Sequence, residues 1–94
     1  MTAAGVLEAV ERILNRGGEP EQVVREVVGA LRERGFPAAV RNLGGRAVGD
    51  APESAAEVAV ESAGVVVGSL RLAGDDALAA RVATLISPYV ARLP

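Results

Sequence analysis

Ninety-four residues, half of them apolar and 23% charged, fit one small globular domain spanning residues 1–94, with little capacity to bury a large core unaided. A formal charge of −2, with the ten arginines interleaved among glutamates, argues against nucleic acid, whose phosphates require clustered positive charge. Cysteine and histidine are both absent, which removes disulfides, thiolate nucleophiles, histidine general bases and the usual zinc sites, so neither a cofactor nor a metal is expected.

The N-terminus carries no secretory signal, and no apolar run reaches the ~18 residues of a membrane span, so a cytoplasmic protein without membrane contact is expected. Residues 3 to 16 place Val6, Leu7, Val10, Ile13 and Leu14 at helical spacing, with Glu8, Glu11 and Arg12 opposite. Thr2 suits the cap position and Gly17 the left-handed stop. A second helix opens at Pro20, with Glu19 and Glu21 complementing its dipole, and carries Val23, Val24, Val27, Val28 and Leu31 on one stripe before Gly35 ends it. Its valines are poor helix formers, but the 3.6-residue period outweighs that propensity.

From Phe36 the period becomes two. "FPAAVRNL" reads as a strand, "GG" at 44–45 as a turn and "RAVGD" as a short return strand. After "APES", the stretch "AAEVAVES" alternates, with Val58 and Val60 on one face and Glu57, Ala59 and Glu61 on the other. "AG" turns the chain into "VVVGSLRLAG", in which Val66, Gly68, Leu70 and Leu72 share a face. Asp75 or Asp76 caps a last helix bearing Leu78, Val82, Leu85, Ile86, Tyr89, Val90 and Leu93, and Pro88 inside it predicts a kink near Thr84.

The pattern predicts an α+β domain, an antiparallel four-stranded sheet with helices on one face, in the order helix, helix, four strands, helix. Three amphipathic helices exceed what one sheet face can cover. An apolar stripe from the first and last helices, carried by Val6, Val10, Ile13, Leu85 and Tyr89, is therefore expected to seek a partner subunit.

The stretches "VVREVVGALRERGF", "GVVVGSLRLAG" and "DDALAARVATLISPYV" resemble a GAF domain, and together they cover most of the chain. The resemblance implies that the first strand lies beside the last and that the first and last helices form a dimeric bundle. Members of that family sense cyclic nucleotides, other small ligands, bilins or haem, or mediate dimerisation alone, and one branch reduces free methionine sulfoxide with cysteines. The missing cysteines remove the reductase activity and a covalently held bilin, and the missing histidine a His-ligated haem. The resemblance also implies a pocket between the outer sheet face and a roof that follows the second strand. Here that segment, "GDAPESAA", is too short for a helix and its connections.

Glu57 and Glu61, four residues apart on one strand, would lie ~13 Å apart, beyond the ~5–9.5 Å of paired glycosidase carboxylates. The alternation places them on the face that carries Arg41 and Arg71, where the four are expected to form a solvated set of cross-strand charge pairs. The alternative is that Arg41 and Arg71 bind an anionic ligand or an acidic partner. "NRGGEP" reads as a helix stop and restart, because Glu19 and Glu21 occupy the place an anion would take. Asp75 and Asp76 read as a helix opening without calcium-loop spacing. Four serines, Ser54, Ser62, Ser69 and Ser87, have neither histidine nor lysine to activate them, so no enzyme activity is expected.

The expected function is that of a minimal, stand-alone GAF-like module, non-catalytic, regulatory or protein-interacting, a homodimer acting in trans. Its partners are then itself and an unidentified protein or small ligand. The alternative is a small-anion or nucleotide-type ligand sensor that uses the outer sheet face across the dimer. Another dimeric α+β scaffold, of roadblock or profilin type, fits less well, since those usually begin with one helix.

Overall fold

The change of hydrophobic period at Phe36 is where helices give way to strands. The structure, a computed structural model, describes residues 3–94, so the cap expected at Thr2 lies outside the described residues. The elements run α1 (Ala3–Arg16), α2 (Pro20–Glu33), β1 (Ala38–Asn42), β2 (Ala47–Gly49), β3 (Ala56–Ser62), β4 (Val65–Leu72) and α3 (Asp76–Ala91). The fold is the expected α+β arrangement: three helices and one four-stranded antiparallel sheet, in the order read from the sequence. The strands lie β2-β1-β4-β3, with the first strand beside the last.

Local chemistry accounts for most boundaries. Gly17 takes φ 73° and donates to the Ile13 carbonyl at 3.2 Å, closing α1. Pro20 occupies the first turn of α2. At its other end Gly35 takes φ 89°, while the amides of Gly35 and Phe36 reach back to the Arg32 and Leu31 carbonyls, a Schellman stop. Asp75, rather than Asp76, caps α3: its carboxylate accepts the Leu78 amide at 3.0 Å.

The layers differ from the expectation in one respect. α2 and α3 cover one face of the sheet, while α1 touches no strand and packs on α2 and α3 instead. Val6 and Val10 are fully buried there, inside the chain's own core, so neither is the exposed dimer contact expected of it. Ile13, Leu85 and Tyr89 are half-buried and packed against the same core, and the Tyr89 hydroxyl donates to the Leu14 carbonyl at 3.2 Å. That bond satisfies one of the carbonyls left free in the last turn of α1. The stripe expected to be surplus is therefore largely consumed by a third layer.

A bulge in β4 corrects a second expectation. Val60 pairs with Gly68 but Glu61 pairs with Val66, so Val67 is the extra residue. The side-chain alternation reverses there. Gly68, Leu70 and Leu72 face the helices as expected, whereas Val66 turns to the opposite face and is 44% exposed, and Val67 packs towards the core. Gly68 is required at this point, because a Cβ there would lie 2.2 Å from the Arg41 carbonyl oxygen and 3.0 Å from Val90 of α3.

α3 is helical through Pro88, and Ser87 shows how. Pro88 has no N–H to give the Thr84 carbonyl, and the Ser87 hydroxyl donates to that carbonyl instead, at 3.0 Å. Ser87 is the buried polar side chain among the described residues, and the vacant carbonyl explains its place. Ser87→Ala should cost about 1 kcal/mol. In a Pro88→Ala background, where the backbone amide can serve Thr84, it should cost little, and a double-mutant cycle by urea denaturation measures the coupling.

Glu21 joins α2 to the turn between β1 and β2. It accepts from Arg46 Nε at 2.7 Å, contacts the same guanidinium through Nη2, and accepts from Arg25 at 3.1 Å. The Arg46 hydrogen bond, supported by Arg25, holds its carboxyl below the usual range despite some desolvation. A lowered folded-state pKa contributes stability that is present above the unfolded value of about 4.3 and is lost as pH falls through the folded one. Glu21→Gln should therefore be less stable than the parent at neutral pH, and the gap between their denaturation midpoints should close on acidification below about pH 4.

Candidate functional site

With the helices stacked on one side, the other face of the sheet carries no helix among the described residues. Register defines it row by row. Gly49, Ala39, Arg71 and Glu57 lie side by side across the four strands, followed by Ala47, Arg41, Ser69 and Ala59. Beyond them, towards the sheet end, come Leu43, Val66 and Glu61. The floor is thus made of alanine, glycine and serine, and the long side chains stand around it.

The structure brings three of the four predicted site residues together. Arg41, Arg71 and Glu57 line one concavity of about 190 Å³ with Ser69, Asp50 and Ala51. A shallower depression of about 460 Å³ continues from Arg41, Glu57 and Ser69 to Leu43, Ala59 and Val66. Glu61 is exposed on the same face, towards its far end, and lines neither.

The expected cross-strand ion pairs are not formed. Glu57 and Arg71 are direct register partners, yet the Arg71 guanidinium donates to the Pro52 carbonyl at 2.9 Å. Among the described residues no ion pair joins Arg41 or Arg71 to a carboxylate; the pairs that form are Arg16–Glu26, Arg25–Glu21, Arg34–Glu33 and Arg46–Glu21, all away from this face. Arg41 is exposed, and its guanidinium makes no hydrogen bond or ion pair within the described chain. Arg71 is half-buried and clips the connection between β2 and β3 to the sheet. That connection, residues 50–55, contains no helix, in keeping with the short "GDAPESAA" segment, and through Asp50, Ala51 and the Pro52 carbonyl it borders one end of the face.

Residues that the sequence did not assign to this face complete the site. Ser69 sits at its centre opposite Arg41, a place readable from the alternation of Leu70 and Leu72. Leu43 and Val66 bring large apolar side chains to one end. Leu43, 75% exposed, follows from extending the β1 alternation by two residues, while Val66 is hidden from sequence by the bulge. With Val65 at 62%, these are the exposed large apolar side chains among the described residues, and all three cluster at the same end of the sheet.

No family model matches the chain, and neither any curated protein nor any solved structure matches it. No described helix is long and apolar enough to cross a membrane.

The two arginines should separate experimentally. Arg71→Ala should raise amide hydrogen exchange across residues 50–55, because it removes the anchor on Pro52. Arg41→Ala should leave that exchange unchanged.

Proposed function

We propose that the chain is a non-catalytic regulatory or protein-interaction module that works through the outer face of its sheet. The observation that carries this reading is the contrast between the two sides. The exposed surface of α1 bears Glu8, Glu11, Arg12, Asn15 and Arg16, whereas the outer sheet face joins exposed Leu43 and Val66 to arginine and glutamate side chains that have no ionic partner among the described residues. Apolar residues rimmed by unsatisfied charge are what a docking surface requires. A minimal GAF-like domain without a roof accommodates the first strand beside the last and the short 50–55 connection.

The second reading, a sensor for a small anion, is favoured by the convergence of Arg41 and Arg71 on one concavity. At about 190 Å³ it falls short of the ~300–1,000 Å³ typical of ligand pockets, so any such ligand is small.

Native mass spectrometry on untagged protein, purified gently from its own host, discriminates the two. The interaction reading expects an assembly of protein mass alone, lost in a Leu43→Asp variant that circular dichroism shows to be folded. A stoichiometric small adduct, lost on Arg41→Ala with Arg71→Ala, establishes the sensor instead. An adduct-free assembly that survives Leu43→Asp overturns the assignment to this face.

A further inference from the structure

We infer that the concavity on the outer sheet face binds a small zwitterion, of the size and charge of the smaller free α-amino acids, a conclusion that rests on the sensor reading of that face and names the class of its ligand.

One small space holds both signs of charge. Arg41 and Arg71 line the concavity together with Asp50 and Glu57, and among the described residues no ion pair joins any of the four to a charged group. Topology keeps Arg41 and Glu57 apart. β4 lies between their strands, so two strand spacings, ~9.6 Å, and one row of the sheet separate their backbones. Arg71, the register partner of Glu57, gives one donor to the Pro52 carbonyl and keeps its others.

The mixture selects the ligand. A bare anion drawn to the two guanidiniums meets two carboxylates in the same space, and a bare cation meets the guanidiniums. A molecule that carries both charges suits all four groups. Its carboxylate accepts from Arg41 and Arg71, and from the Ser69 hydroxyl, which has no hydrogen-bond partner among the described residues. Its ammonium, one carbon away, donates to Glu57, with Asp50 adding negative charge from the end of β2. Charge-assisted hydrogen bonds of this kind are ~2.8 Å long and roughly twice as strong as neutral ones.

Size sets the second limit. Small residues, Ala39, Ala47 and Gly49, form the floor and leave about 190 Å³ free. At ~30 Å³ per water that is room for about six waters, hence for a molecule of about six to eight non-hydrogen atoms. So few atoms, in a site open to solvent, imply a dissociation constant roughly between 0.1 and 10 mM, raised by salt.

Amide NMR shifts of the isotope-labelled full chain test this, with glycine, L-alanine and L-serine as zwitterions, acetate as a bare anion and methylammonium as a bare cation, each to about 100 mM. At least one amino acid should saturably shift the amides of Arg41, Ser69 and Arg71, with acetate and methylammonium about tenfold weaker or more. Arg41→Gln should weaken the amino acid about tenfold. Glu57→Gln should weaken it similarly while tightening acetate, a reversal of preference that loss of folding cannot produce. Acetate or methylammonium binding as tightly as the amino acids, or amino-acid binding indifferent to Glu57→Gln, overturns the zwitterion; where acetate binding then depends on Arg41, the anion sensor stands. No saturable shift from any probe, or binding indifferent to Arg41→Gln, removes the sensor reading as well and leaves the docking reading of the face untouched.

Discussion

The burial of α1 against α2 and α3 decides which surface of this protein is left for anything else. A four-stranded sheet has one face for helices, and two helices fill it. The third can leave its apolar stripe exposed, share it with a partner, or bury it on the backs of the other two. Val6 and Val10, fully buried, show that the third course is taken. The Tyr89 hydroxyl on the Leu14 carbonyl ties the end of α1 to α3 without a second chain. The helical side is then closed by a polar surface, and the open side of the sheet carries the apolar and charged side chains that remain unsatisfied.

A small structural irregularity shapes that open side. The extra residue at Val67 lets α3 approach β1 and β4 closely, with Gly68 placed where no Cβ fits. The same bulge turns Val66 outward beside Leu43. The helix-facing core and the outward apolar spot therefore depend on one register shift, and they cannot be altered independently. Filling Gly68 or deleting Val67 would disturb both.

Much of this was legible in the sequence, and the exceptions have identifiable causes. Element order, the helix stops at Gly17 and Gly35 and the shared face of Arg41, Arg71, Glu57 and Glu61 follow from period and punctuation, which are local properties. The destination of the α1 stripe is not local. A stripe facing a partner and a stripe facing the chain's own second layer have the same spacing, so Val6 and Val10 gave no sign of which applied. The bulge was equally hidden, because "GVVVGSL" reads as unbroken alternation whichever valine is extra. Pairing of charges failed for a third reason. Register puts Glu57 opposite Arg71, but a long guanidinium has several acceptors within reach, and the Pro52 carbonyl, which holds a loop in place, is the one used.

The charges on the open face limit association as well as permit it. A floor of alanine, glycine and serine offers little apolar area, and at about 25 cal/mol per Å² it cannot by itself yield tight binding. Discrimination must then come from the pattern of arginine and glutamate, whose main effect is on which arrangements are tolerated. The exposed edge of the sheet illustrates this. β3 is an edge strand of seven residues, long enough to pair with another copy of itself and join two sheets into one. Antiparallel pairing centred on Ala59 would set Glu57 directly against the other chain's Glu61, twice over, so these two carboxylates oppose pairing along the edge. Among the described residues neither carboxylate has a salt bridge, and that keeps the repulsion intact: a carboxylate neutralised by Arg71 would not repel a second copy at the edge.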